Sequence, residues 1–269
     1  MNLNDLIEQE ILNGYGDANA QAKVCQDIIL KAIATSSLSR NVTIKGGVVM
    51  RSKTCNIRRA TQDLDIDFIK LSLSDEAIDI FISKLNCLEG ITLKRSGKIE
   101  ELKQQDYKGK RVYIQLQDSA GNTIINKLDI GVHTHLDLEQ EEYCFDIAFD
   151  EEGASVLINT NEQMFAEKLR SLLRMGAIST RYKDLFDMYY LSQHSDFSTL
   201  YRCINVCIFD DSRMREDSLQ DILARLEFTF HNKNYLRKAD HAKTKWIDQE
   251  IDVVIEGIKN AIKKCMDIK

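Results

Sequence analysis

Residues 63–68 read Asp-Leu-Asp-Ile-Asp-Phe, a strict alternation of carboxylates and large apolar side chains. Only an extended chain sorts such a run onto two faces, because successive side chains of a strand point to opposite sides. The stretch predicts a strand that buries Leu64, Ile66 and Phe68 and turns Asp63, Asp65 and Asp67 the other way. Like charges that close repel, so the arrangement costs free energy unless cations neutralise it. Hard divalent ions, which take oxygen ligands, would do so. The plainer alternative is a strand whose outer face is acidic and solvated.

Apolar periods divide the rest of the chain. Leu3, Leu6, Ile7 and Ile11 recur at helical spacing until Asn13-Gly14, and Val24, Ile28, Ile29 and Ala32 predict a second helix over 18–34. Val42 and Ile44 predict a short strand ending in Gly46-Gly47. Ser74 to Leu85 reads as a helix, with Asp75 and Glu76 in the first turn, where the macrodipole favours them. Residues 91–100, 110–117 and 123–132 alternate as strands, with turns at 106–109 and 119–122, and 143–149 adds one more. Beyond about residue 155 the period is helical, at 162–175, 181–191, 216–230 and from 245 onward. An α+β fold is expected: a mixed-sheet core with helices over 1–155, then an all-helical domain over 156–269. The chain has no proline, so Gly, Asn, Asp and Ser must supply its turns.

A formal net charge of −6 excludes a wholly basic nucleic-acid coat but not a local basic patch. The seven cysteines are scattered and contain no CxxC pair, which argues against a disulfide framework or a zinc cage. His133 and His135 form HxH without a cysteine or acidic cluster to complete a zinc pattern, and read as exposed rings at a strand end. No apolar run approaches a membrane span, and the polar, acidic start MNLNDLIEQE reads as neither signal nor transit peptide. A cytoplasmic protein is expected.

The chemistry gathers around the acidic strand. Gly46-Gly47 stand sixteen residues before Asp63, and glycines there let backbone N–H groups approach a phosphate. Arg51, Lys53, Arg58 and Arg59 lie between the two motifs and suit phosphate charge. In Lys127-Leu128-Asp129-Ile130, Asp129 faces away from Leu128 and Ile130. It joins the acidic pair if its strand lies beside 63–69, and three carboxylates there would suit two-metal phosphoryl transfer. Lys168 sits on or beside the apolar stripe of its helix, so it needs an acidic partner, an anionic ligand or room to snorkel. Asp184 and Asp187 share a helix face and also call for partners, such as Arg181 and Lys183.

Taken together, KGG at 45–47, RATQDLD at 59–65, KLDI at 127–130, AEKL at 166–169 and RYKDLFDMYYL at 181–191 resemble the AbiEii/AbiGii toxin family, minimal nucleotidyltransferases of the DNA polymerase β-like superfamily. The resemblance implies a minimal nucleotidyltransferase core and a helical domain closing the active-site cleft. It implies transfer of NMP from an NTP to an acceptor hydroxyl with Mg2+ (or Mn2+) and release of pyrophosphate. In some members the acceptor is the end of tRNA, which blocks translation, and many pair with a separate antitoxin protein in phage defence. By motif, Lys45, Gly46, Gly47, Arg59 and Lys168 would contact the nucleotide. Asp63, Asp65 and Asp129 would hold metal, and Asp184 would be the last catalytic carboxylate. Val48-Val49 depart from the family's small polar continuation after the glycines, and Asp67 is an acid the motif does not require.

Two other readings compete with an RNA-modifying toxin: a transferase acting on a small molecule or a protein, and a binding protein that merely retains the fold. Two basic clusters would favour RNA, because phosphate contacts dominate such affinity. One contains Lys94, Arg95, Lys98, Lys103, Lys108, Lys110 and Arg111; the other Arg225, Lys233, Arg237, Lys238, Lys243 and Lys245.

Overall fold

A computed structural model describes residues 1–102, 109–135, 137–241 and 245–268. The predicted turn at 106–109 falls mostly outside the described residues, as do Lys103, Lys108 and Lys243 of the basic clusters. The described chain divides into two compact units, Met1–Asn159 and Thr160–Lys269.

The first unit begins with α1 (Leu3–Leu12) and α2 (Asp17–Thr35). Strand β1 (Val42–Lys45) runs directly into α3 (Gly46–Thr54), and β2 (Asp63–Phe68) and α4 (Asp75–Lys84) follow. Then come β3 (Ile91–Leu102), β4 (Gly109–Asp118), β5 (Thr123–Val132), β6 (Glu141–Ile147) and β7 (Asp150–Ile158). The strands form one mixed sheet in the order β3-β4-β5-β2-β1-β7-β6. Strand β2 is parallel to β5 and β1 is parallel to β7, while the other neighbours are antiparallel.

Register follows the apolar alternation. Val42 lies opposite Phe68 and Ile44 opposite Ile66, while Leu64 and Ile66 lie beside Leu128 and Ile130. Phe68, Ile44, Ile66 and Ile130 are fully buried. Each such side chain contributes about 1.5–3 kcal/mol relative to exposure, so a one-residue slip that turned this face outward is strongly disfavoured. Helix α2 covers the apolar face: its Ala22 carbonyl accepts from Asn126 of β5, and Val24, Ile28, Ile29 and Ala32 are buried. The opposite face is thereby left to Asp63, Asp65, Asp67, Lys127 and Asp129.

The hairpin of β6 and β7 extends the strand expected at 143–149, and β7 was not expected at all. Its run Ala154-Ser155-Val156-Leu157-Ile158 is short and apolar, and periodicity alone cannot tell such a run from the start of a buried helix. Pairing with β1 and β6 settles it. His133 also differs from expectation. Its ring is buried and hydrogen-bonded to Gln140 at 2.8 Å, because the chain leaving β5 folds back over it.

The second unit contains α5 (Asn161–Met175), α6 (Lys183–Ser192), α7 (Phe197–Ile204), α8 (Leu219–Phe230), α9 (Lys233–Ala239) and α10 (Ile251–Met266). The stripe Phe165, Leu169, Leu172 and Leu173 of α5 is buried, as are Val254, Ile255, Ile258 and Ile262 of α10. The last helix starts later than the sequence period indicated, with Trp246 buried ahead of it. Without proline, helix starts rely on side-chain caps: Thr160, Asp196, Ser218 and Asn232 each accept a hydrogen bond from a first-turn amide. No described helix is long and apolar enough to cross a membrane.

Candidate active site

Four strands align one lateral row of charge. Lys45 of β1 lies opposite Asp65 of β2, Asp65 lies beside Asp129 of β5, and Asp129 lies opposite Arg111 of β4. Asp63 and Lys127 are neighbours one row further along. The predicted adjacency of the 63–68 and 123–132 strands is therefore present, and the acids share a face.

Side-chain cations neutralise much of that face. Arg111 donates from Nε and Nη2 to the two oxygens of Asp129, each at 2.8 Å, and these bonds hold the guanidinium well above its usual pKa. Lys127 Nζ lies 2.6 Å from Asp63 Oδ1. Lys45 Nζ donates to Asp67 Oδ2 at 2.7 Å, with both groups buried. Asp67 Oδ1 is buried without a hydrogen-bond partner. Sequence reasoning missed these pairings. Lys45 read as a nucleotide contact by resemblance, Lys127 only as a residue of its strand, and Arg111 as part of a basic cluster that would favour RNA.

Glycine positions the phosphate-binding candidate. Gly46 opens α3 at φ +69°, and a Cβ there would stand 2.5 Å from Asp65 Oδ2. A Cβ on Gly47 would stand 2.7 Å from Thr61 Cβ. The strand-to-helix turn thus packs directly against the acidic row. Lys45, the N-cap of α3, makes no side-chain capping bond and has no acceptor to offer. A helix amino end of this kind favours anions. We expect Gly46→Ala to lose about 1–2 kcal/mol of stability through the positive φ. It should lose more of nucleotide transfer than of stability, because Asp65 must move aside. Unfolding curves and labelled-NTP incorporation measured on the same preparation compare the two losses.

Two of the basic residues between the motifs, Arg51 and Lys53, pair with side chains of other elements. Arg51 is buried, donating to Gln26 at 2.5 Å and pairing with Asp27 at 3.4 Å. Gln26 in turn donates to the Thr61 carbonyl at 3.0 Å, which ties the approach to β2 to α2. Lys53 pairs with Glu141 at 2.9 Å. Arg59 is buried in the 3-10 turn Ile57–Arg59.

The two carboxylates Asp63 and Asp65 fit a hard divalent cation. They sit at alternate positions on one face, Asp63 is 39% exposed and Asp65 is half-buried. Gly46 leaves the space beside the Asp65 carboxylate that a side chain would fill. Asp129, one strand over, carries Arg111 on both of its oxygens. Among the described residues, no group of three or more His, Cys, Asp and Glu side chains forms a metal cage.

In the helical unit, Lys168 is buried between two acids, 2.7 Å from Asp184 Oδ1 and 2.8 Å from Asp187 Oδ2. Arg181 approaches Asp184 Oδ2 at 2.8 Å, as the sequence spacing had indicated. Trp246 Nε1 donates to Asp187 Oδ1 at 3.0 Å. Beside them the Tyr235 hydroxyl is buried without a partner, and burial, with the Asp184 charge adding, raises its pKa. Lys168 therefore has the acidic partner that an inward-pointing lysine requires, supplied from α6.

The fold is a mixed sheet whose polar face carries paired acids beside a glycine-opened helix, and the chain is a nucleotidyltransferase. The profile of the family described as nucleotidyl transferase AbiEii toxin, type IV TA system, matches residues 28–250, and the chain belongs to that family. No curated protein sequence is significantly similar to it. Among solved structures, it is similar to an antigenic nucleotidyltransferase-like protein from Paracoccidioides brasiliensis, at 14% identity and a TM-score of 0.45, covering 80% of this chain and 92% of that one. It is also similar to the antibiotic-resistance factor ANT(2'')-Ia, at 13% identity and a TM-score of 0.43, covering 78% of this chain and 98% of that one.

Proposed function

We propose that this nucleotidyltransferase moves NMP from an NTP to an acceptor hydroxyl of RNA, at the acceptor end of tRNA. In this reading it is a cytoplasmic toxin that blocks translation during phage infection and is restrained by a separate antitoxin protein. The observation that carries the reading is the packing of Gly46 on Asp65, which sets a helix amino end and a carboxylate side by side. NTP phosphates are charged groups that need both.

In the reaction, the acceptor oxygen bonds to the α-phosphorus, the bond from that phosphorus to the β-phosphate oxygen breaks, and pyrophosphate leaves with the electron pair. Backbone N–H groups at Gly46 and Gly47 hold the phosphates, so the line of attack is set before chemistry. Asp63 and Asp65 would hold Mg2+ or Mn2+, which when bound supplies charge to the phosphate oxygens and acidifies the attacking hydroxyl. The hydroxyl proton leaves to solvent at the exposed edge of Asp63. Asp129 fixes Arg111 beside the row and keeps that edge of the site rigid. Lys168 holds Asp184 and Asp187 in place.

The first basic cluster gives RNA little support, since Arg95, Lys110 and Arg111 are paired with Asp79, Asp75 and Asp129. The second gives more: Lys233, Arg237 and Lys238 are all exposed on α9. The test incubates the protein with each labelled NTP, Mg2+ and total tRNA, and follows the label over a salt series. Label in tRNA, declining steeply as salt rises, is the expected result. Salt-insensitive label in a small molecule would transfer the assignment to the competing acceptor class.

A further inference from the structure

The helical unit holds an arginine-lined cavity of about 400 Å3, walled by Arg174, Arg213, Arg215 and Arg225 with Glu216 as its acid. Four arginines and one carboxylate line it, on a chain whose net charge is −6. Glu216 is buried and accepts from the Arg215 amide at 3.2 Å. Asp211 lies outside the wall and is shared between two arginines: Arg170 Nε donates to it at 2.8 Å and Arg213 Nε at 2.9 Å.

Arg215 and Arg225 carry the argument. The Arg215 guanidinium makes no hydrogen bond or ion pair with any described residue, and Arg225 has no carboxylate partner among them. Arg225 is half-buried and is aimed by its Nε, which donates to the Leu173 carbonyl at 3.2 Å. A half-buried, oriented cation without an acid is costly unless an anion completes it. The planar fork of arginine matches phosphate oxygens in pairs.

A second observation separates a nucleic-acid strand from a lone phosphate. Phe228, one turn along α8 from Arg225, is 73% exposed, and Arg225 Cζ lies 5.8 Å from its ring centroid. An exposed aromatic face beside a phosphate-binding arginine is the pairing on which unpaired bases stack. We propose that this cavity binds the phosphodiester backbone of a single-stranded nucleic acid, with a neighbouring base stacked on Phe228. The proposal rests on the RNA reading above for the identity of the strand, and it places an acceptor contact on the helical unit.

The test compares the full-length wild type, the double variant Arg215→Gln/Arg225→Gln, and Phe228→Ala. None of these changes strips the partner from a buried acid, and unfolding curves confirm that each variant folds. Binding of a short fluorescent single-stranded RNA is measured over a salt series, with base-free polyphosphate as competitor. The double variant should bind about tenfold or more weakly, and its log–log salt slope should be shallower by about 1.4, the value for two phosphate contacts. Phe228→Ala should bind about tenfold more weakly with the slope unchanged. Polyphosphate should compete poorly with RNA.

Wild-type affinity in the folded double variant, or no RNA binding by the wild type, overturns the proposal. So does full competition by polyphosphate together with unchanged binding by Phe228→Ala, which would leave an anion site only. The tRNA-labelling assay runs on the same proteins. Labelling by all three at equal tRNA concentrations rejects the cavity and retains the acceptor reading. RNA bound through the cavity but never labelled rejects the acceptor reading and retains the cavity.

Discussion

Asp65→Asn should abolish nucleotide transfer while the protein stays folded, and Asp63→Asn should do nearly the same. Each change keeps the side-chain shape but removes one of the two charges proposed to hold the divalent cation. Several kcal/mol of charge stabilisation is at stake, a loss of about 10³-fold or more in rate. Stability should move little. The Asp63–Lys127 pair is partly exposed, with the two side chains 39% and 27% accessible. Such a pair contributes only about 0–1 kcal/mol. Single-turnover incorporation of labelled NMP, run alongside chemical denaturation, reads both quantities. Toxicity on expression should vanish with the activity. Full transfer by both variants would return the acidic strand to a solvated face.

Lys168→Ala should act in the opposite way, on the fold first. The sequence alone left Lys168 to an acidic partner, an anionic ligand or a snorkelling path, and alanine is the better helix former. The structure surrounds its ammonium with Asp184 and Asp187, and Asp187 is wholly buried. Deleting the cation removes the ammonium 2.8 Å from a buried carboxylate that also accepts from the Trp246 indole. Breaking a buried pair in this manner costs about 3–5 kcal/mol, a large share of the roughly 5–15 kcal/mol that stabilises a typical domain. The midpoint of urea unfolding of the helical unit should fall accordingly. Adding Asp187→Asn to the lysine variant should recover part of the loss, because the buried charge goes with it. A lysine variant with unaltered unfolding and a raised KM for NTP would make Lys168 a nucleotide ligand rather than a keystone of α5 and α6.

The two predictions also mark how far the chain could be read. Strict alternation at 63–68 was sufficient to fix the strand, its buried face and its acidic face, because a period of two has one structural solution. The same held for the strand of Leu128 and Ile130, and for the α5 and α10 stripes. Where a segment was short or uniformly apolar, as in β7, the sequence held no period to read. Motif order was sufficient to place the chain in its family, although each motif is only a few residues long.

What the sequence left open was which charge meets which. Lys45 and Asp67 are 22 residues apart, Arg111 and Asp129 are 18 apart, and Lys168 and Asp184 are 16 apart. Each pair could be drawn several ways from the chain alone, since every acid had more than one candidate cation. Strand order and register selected Arg111 for Asp129 and Lys127 for Asp63, and helix packing selected Lys168 for the two acids of α6. Local periodicity is written into neighbouring residues and survives in any fold. The pairing of charges depends on distances of a few ångströms between strands and helices distant in sequence, and only the tertiary structure sets those.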